Sequence, residues 1–313
     1  MNDIRIHSFD LNTKETGRYG DPEMQPADGF LIRIREHGTE VNLLLDAGKK
    51  GQGEKVILPY LCSQGISHLD YMALSHPHLD HFGGMIDLLR ESGITVGKFL
   101  YAPLADEDMH RAQDERNYRL WTEFKQTLEQ AAAAGGVRTI DHLDACRPGD
   151  RIALTLSVGL DIVALPDPSL YGENDVLNIN DMSLVLKLHY GSFSALFPGD
   201  CGRAQAEQIL RSPQRELIRD VTLLKASHHG GDESTTPEFT ALCNSRIVLV
   251  PCNSLVVEHR PSFVRNLHDF SRNGAKILRA DCQRSIEIAS DGTVVTCRAS
   301  TDHYSEHTAF HLR

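Results

Sequence analysis

The stretch Ser75-His76-Pro77-His78-Leu79-Asp80-His81-Phe82-Gly83-Gly84 decides how the rest of the sequence is read. It packs four potential metal ligands, His76, His78, Asp80 and His81, into six positions. Tyr71–Leu74 just before it has the apolar character of a buried strand. In a loop that curls around a cation, side chains two apart can point inward together. His76 and His78 are therefore expected to hold one ion, while Asp80 and His81 point to a second. Neutral imidazoles and a carboxylate suit zinc and also tolerate manganese or iron. Gly83-Gly84 lets the backbone pass close to a neighbour and opens an expected helix Met85–Glu91, whose N-terminus adds partial positive charge. One histidine alone would read as surface; four potential ligands at this spacing read as a metal loop.

Two further elements supply what the loop lacks. Leu196-Phe197-Pro198-Gly199-Asp200 is a strand running into a Gly-Asp turn, which presents Asp200 either as a carboxylate bridging two ions or as an ordinary Asx turn. Val221–Ala226 then runs into Ser227-His228-His229-Gly230-Gly231, again with ligand residues at a strand end. One member of the His-His pair can act by supporting the other rather than by ligation. Lys225, in an otherwise apolar strand, must either reach a partner such as a phosphate or snorkel to solvent.

The order of these motifs resembles the metallo-β-lactamase superfamily, and more narrowly the metallo-β-lactamase domain of ComEC-type competence proteins and their stand-alone relatives. Asp28-Gly29 before a strand, Leu44-Leu45-Asp46-Ala47-Gly48, Leu58-Pro59-Tyr60-Leu61 and Asn180-Asp181-Met182-Ser183 carry the likeness, as does His259-Arg260-Pro261. The resemblance implies an α/β fold, a four-layer αββα sandwich with metals at one edge of two sheets. It implies two divalent metal ions, zinc first and manganese as the alternative. His76 and His78 would take one ion, Asp80, His81 and His229 the other, with Asp200 bridging and Asp28 and Asp46 orienting ligand histidines. Many superfamily members carry another histidine between the loop and the bridging aspartate. The candidates are His110, His142 and His189, and none sits at a convincing strand-end turn.

Such a pair of cations lowers the pKa of a shared water towards neutrality, so hydroxide can attack a phosphorus or carbonyl centre. Asp80 would orient the nucleophile, and His228, Lys225 or His259 would contact a phosphate or protonate the leaving group. The ComEC-type likeness implies phosphodiester hydrolysis, with nucleic acid or a smaller phosphodiester as substrate. A carbonyl substrate (lactone, thioester or β-lactam) is the alternative. A third reading is an inactive binding protein that retains the fold.

Composition leaves these readings open. The 313 residues are 41% hydrophobic and 24% charged, the ordinary globular range. The net charge of −11 argues mildly against a basic stripe that wraps long nucleic acid. Seven cysteines without CxxC spacing exclude a cysteine-built zinc site and read as reduced thiols. No apolar run approaches the roughly 20 residues that span a bilayer, and MNDIRIHSFDLN lacks the features of a signal peptide. A cytoplasmic protein with no membrane association is expected. Further strands are expected at Ile4–Phe9, Gly29–Arg35, Val41–Leu45, Arg151–Leu156, Asp161–Leu165, Ser183–His189, Ile247–Val250, Ala275–Leu278, Ser285–Ala289 and Val294–Arg298. Helices are expected at Lys55–Gln64, Gly202–Leu210 and Ser262–Asn273. A long helix at about 105–134 reads as an insertion, either a lid or a cover for the sheet. One hydrolase domain over 1–298 is followed by a tail, 299–313, that is frayed or carries His303, His307 and His311 as a helical stripe. Arg203, Arg211, Arg215 and Arg219 read as a solvated face.

Overall fold

The computed structural model describes residues 2–11, 26–90, 93–170, 176–231, 236–253, 261–272, 274–300 and 305–311. Its strands, in chain order, are β1 Asp3–Ser8, β2 Gly29–Glu36, β3 Thr39–Ala47, β4 His68–Ala73, β5 Thr95–Leu100, β6 Val137–Asp141, β7 Arg151–Ala153 and β8 Val158–Ala164. There follow β9 Val185–Tyr190, β10 Phe193–Phe197, β11 Leu223–Lys225, β12 Ile247–Val250, β13 Lys276–Arg279, β14 Ile286–Ser290, β15 Val294–Ser300 and β16 Ser305–His311. The helices are α1 Leu58–Ser63, α2 Leu79–Arg90, α3 Asp106–Arg111, α4 Glu115–Ala133, α5 Arg203–Arg211, α6 Pro237–Cys243, α7 Pro261–Arg272 and α8 Ala280–Gln283.

The run Leu43-Leu44-Leu45 shows why these strands lie inside a layered stack. Side chains alternate across a strand, so Leu43 and Leu45 enter one apolar cluster while Leu44 enters another. The first cluster fills the space between the sheets and joins Ile6, Ile32 and Leu43 to Leu160, Leu186 and Leu223. The second sits under the helices, where Leu44, Met72 and Phe99 meet Ile86, Trp121 and Phe124. A third packs Leu196, Leu224 and Val248 against Ile209, Phe239 and Phe263. Three apolar interfaces separate four layers, and the architecture is the αββα sandwich.

One sheet has the order β16-β15-β14-β1-β2-β3-β4-β5-β6, the other β13-β12-β11-β10-β9-β8-β7. Strands β3 to β6 run parallel, as do β10 to β13. Parallel neighbours bring all their carboxyl ends to one edge, the usual place for a site in such sheets.

Several expectations need correction. Helix α2 begins at Leu79, not beyond Gly83-Gly84, so Asp80 and His81 lie in its first turn. The other role expected of the glycines, close approach of a neighbouring backbone, is the one they have. A Cβ on Gly84 would stand 2.0 Å from the Ala47 carbonyl oxygen, and one on Gly83 would stand 2.3 Å from the Lys50 nitrogen. The stretch 105–134 is two helices, broken where Asp114 caps α4 by accepting from the Asn117 N–H at 2.9 Å. Together they form the crossover that parallel β5 and β6 require, and α4 covers the sheet. Strands β5 and β6 were not anticipated; β6 buries only Val137 fully, so it carries no alternating signal. The expected strand 151–156 ends at Ala153, and a turn there leaves Leu156 96% exposed. Residues Ser305–His311 pair with β15 as an edge strand, replacing the helical or frayed alternatives for the tail.

The arginine face behaves as expected. Arg203 and Arg211 both pair with Glu207, and Arg219 pairs with Glu216. No helix among the described residues is long and apolar enough to cross a membrane.

Candidate metal centre

The carboxyl ends of β3, β4, β10 and β11 meet at one edge, and each delivers part of a cluster. Asp46 ends β3; the His76–His81 loop follows β4; Asp200 follows β10; His229 follows β11. Asp28 precedes β2, whose antiparallel pairing with β3 places it at the same edge, where its carbonyl accepts from the Gly48 N–H at 2.7 Å.

Asp80, His81, Asp200 and His229 each offer one ligand atom, and these atoms all lie within 4.8 Å of one another. Nε2 of His81 lies 3.2 Å from Oδ2 of Asp200. Nε2 of His229 lies 3.3 Å from both that oxygen and Oδ2 of Asp80. Tetrahedral zinc with bonds near 2.0–2.1 Å needs ligand atoms about 3.3–3.5 Å apart. The observed spacings match those edges. Both Nε2 atoms are buried without a hydrogen-bond partner, an arrangement that costs free energy unless a cation takes the lone pairs. The residues present therefore fit a divalent ion.

His76 and His78 lie beside this group. Nε2 of His76 is 3.3 Å from Nδ1 of His78 and 3.9 Å from Oδ2 of Asp200. No further histidine joins them among the described residues. His110 packs on Tyr118, His142 lies beside Tyr101, and His189 faces Asp161.

The tautomers follow from what lies behind each ring. Nδ1 of His81 faces Oδ2 of Asp46 at 2.9 Å, and Nδ1 of His229 faces Oδ1 of Asp28 at 3.1 Å. Asp46 accepts the Nδ1 proton of His81, and the Asp28 carboxylate lies near enough to Nδ1 of His229 to favour a proton there electrostatically, so that Nε2 of each ring is left for the centre. Ser75 was quoted in the opening stretch but given no role. Its hydroxyl donates to Asp46 at 2.7 Å and stands 3.1 Å from Nδ1 of His76. Its backbone N–H donates to Asp46 at 2.8 Å. Ser183 was another omission: its hydroxyl accepts from the Asp200 N–H at 3.1 Å and so fixes the Gly199-Asp200 turn.

Lys225 neither snorkels nor reaches a free surface. It is 1% exposed and pairs with Asp28, with Asp200 at 3.0 Å, and with the Gly199 carbonyl at 2.6 Å. The phosphate-contact role expected of it is thus replaced by a tie between two carboxylates. His228 is half-buried next to His229, and its φ of 46° and that of 56° at His229 are left-handed. Asp46 has φ 56° as well. Such strain persists where surroundings over-determine it, as at binding sites. His259 lies outside the described residues.

The electrostatics reflect three carboxylates drawn to one point. Burial alone would raise the Asp200 carboxyl, but His229, Lys225 and His81 hold it well below the ordinary carboxylate range. Asp80 and Asp28 are lowered in the same way, against their burial. Burial would lower His229, yet Asp200 and Asp28 push it up to about 10. His81 is likewise raised, against burial, by Asp200 and Asp46. His76 goes the other way, lowered by burial and by the neighbouring His81.

The family model described as the Metallo-beta-lactamase superfamily matches residues 26–113, which include Asp28, Asp46 and the whole His76–His81 loop. ComE operon protein 3 of Bacillus subtilis (strain 168) is 27% identical over 245 residues, 78% of this chain. The chain spans only about a quarter of that relative's length, 27%. The metallo-beta-lactamase fold protein YhfI from Bacillus subtilis superposes with a TM-score of 0.50 at 12% identity, over 90% of this chain and 97% of that one. Igni18, a metallo hydrolase from Ignicoccus hospitalis KIN4/I, gives a TM-score of 0.48 at 11% identity, over 99% of this chain and 100% of that one.

Proposed function

We propose, from the match of residues 26–113 to the metallo-beta-lactamase superfamily model and the fold shared with YhfI, that this chain is a metal-dependent hydrolase of phosphodiesters. One observation carries the reading: Asp80, His81, Asp200 and His229 converge with two buried imidazole nitrogens left for a cation. His76 and His78 would hold a second ion beside them, with zinc the first candidate and manganese the second. Bound there, such ions supply Lewis acidity, lowering the pKa of water and neutralising charge that develops on oxygen.

The chain's own residues do the rest. Asp46 and Asp28 keep the Nδ1 protons of His81 and His229, so each ring stays in one tautomer and orientation. Lys225 offsets the charge of Asp28 and Asp200 and holds the Asp200 turn in place. Asp80, with 17% of its side chain exposed, is the most open of the four central groups and is placed to orient an attacking water. His228, half-buried beside His229, would meet a phosphate or the leaving group.

The phosphodiester assignment rests on the order of motifs shared with ComEC-type domains and on the match to ComE operon protein 3. A cytoplasmic location is proposed with it. The test measures metal content, then turnover of bis-p-nitrophenyl phosphate, single-stranded DNA, a lactone and nitrocefin. Phosphodiester turnover that disappears in Asp80→Ala is the expected result. Turnover confined to carbonyl substrates would sink the phosphodiester reading, and absence of both metal and turnover would favour a binding protein.

A further inference from the structure

Helix α4 reaches the metal loop through one side chain. Asn117 is completely buried, and its carboxamide oxygen accepts from the Leu79 N–H at 2.8 Å. Its carboxamide nitrogen donates to the Pro77 carbonyl at 2.7 Å. The two bonds fix the orientation of the amide, because a flip would set donor against donor and acceptor against acceptor. They also straddle His78, taking the backbone acceptor just before it and the donor just after it. Asn117 is itself anchored: its N–H donates to Asp114 at 2.9 Å. One turn further on, Trp121 packs on Phe82 of α2, with ring centroids 5.4 Å apart.

We propose that Asn117 is a positioning residue for the metal loop, so that the 105–134 segment serves the site as a brace. This rests on the metal-centre reading above. His76 and His81 are each steadied from behind by a hydroxyl or a carboxylate within about hydrogen-bond reach, at 3.1 Å from Ser75 and 2.9 Å from Asp46. Among the described residues no hydroxyl or carboxylate steadies His78 in this way; its ring meets His76 at 3.3 Å. Holding the peptide units on both sides of His78 fixes its Cα and so the direction of its imidazole. The same bonds set the start of α2, where Asp80 and His81 project. Without the carboxamide, a buried carbonyl and a part-buried N–H lose their partners, and the loop relaxes to find others.

The test uses the full chain loaded with zinc and compares Asn117→Ala with Leu128→Ala. Leu128 lies on the same helix and is 1% exposed in the apolar core. Zinc affinity is read by competition with a chromophoric chelator, and folding by Tm and circular dichroism, below both melting transitions. Orienting partners of metal ligands typically set affinity by about 10–100-fold, and a loss of that size is expected in Asn117→Ala. Leu128→Ala is expected to lower Tm while binding zinc as the wild type does. Wild-type affinity in a folded Asn117→Ala protein overturns the brace. An equal loss in both variants also overturns it, since helix stability alone would then explain the effect. A wild-type protein that binds no zinc or manganese overturns the metal reading itself, which is a separate failure.

Discussion

His76 and His78 form one half of the cluster, and Asp80, His81 and His229 form the other, with Asp200 between them. The second half draws on two separate strand ends, those of β4 and β11, and its unpartnered nitrogens face two carboxylates at 3.2–3.3 Å. The first half comes from a single loop, and its approach to Asp200 is longer, 3.9 Å from His76. The difference in charge follows the difference in geometry. Surrounding carboxylates raise His81 and His229 above the ordinary imidazole value, while burial and a neighbouring imidazole lower His76. One half is thus an anionic pocket that needs a cation, and the other is a pair of imidazoles that can accept one. A dinuclear site assembled this way is expected to fill in order, the carboxylate-rich half first.

Removing the residue common to both halves should have the largest effect. Asp200→Ala is expected to abolish turnover and strip both ions, measured by metal analysis and initial rates. Near-normal metal content in that variant would break the comparison outright. Lys225→Met should come next, because it leaves Asp28 and Asp200 without their shared buried cation. A loss on the order of 3–5 kcal/mol is expected for breaking a buried pair in this way, measured by urea unfolding of the metal-free protein. Excess metal should recover part of that stability by binding only the folded state.

Unequal ligand deletions sharpen the contrast. His229→Ala should weaken the tighter metal-binding event, while His78→Ala should weaken only the looser one, both resolved in a metal titration. Equal effects would show that the halves are energetically alike. Among the residues behind the ligands, Asp46→Asn should cost about 10–100-fold in metal affinity. Ser75→Ala should cost less, since Asp46 still faces His81 at 2.9 Å without it.

The smallest effect is a pH dependence of opposite sign in the free and loaded protein. His229 has an ordinary value of 6.5 that the fold raises to about 10. A raised pKa stabilises the fold fully below about pH 6.5, and that stabilisation is lost as pH rises through about 10. The chelated protein should therefore lose Tm across that window. Metal must displace those protons, so its affinity should rise over the same range. His76 is already neutral near pH 7 and should add no such slope. A chelated Tm that is flat from pH 6.5 to 10 would count against the protonated pair.

Much of the site was legible because metal chemistry concentrates in few residue types at strand ends. His76, His78, Asp80, His81, Asp200 and His229 could each be picked out beside a glycine or at the end of an apolar run, and the structure brings them to one edge. Asp28 and Asp46 came from the resemblance, and each does lie against an Nδ1 atom. Lys225 was flagged as anomalous in an apolar strand, yet its partners come from residues 25 to 197 positions away in sequence, and no local pattern reports them. Asn117 gave no signal at all. A polar residue in a helix reads as solvent-facing until the helix is docked.

The sequence by itself determined an α/β chain and the ligand residue types, since apolar runs and strand-end motifs are local properties; the four-layer arrangement was what the family resemblance implied. Only the tertiary structure decided where α2 starts, which backbones Gly83 and Gly84 admit, and that 105–134 covers the sheet and reaches the metal loop. Those depend on how closely distant backbones approach: a Cβ on Gly84 would meet the Ala47 carbonyl oxygen at 2.0 Å. The inequality of the two half-sites was suggested by a missing histidine, but its physical cause, three carboxylates gathered on one side, exists only once four strand ends share an edge.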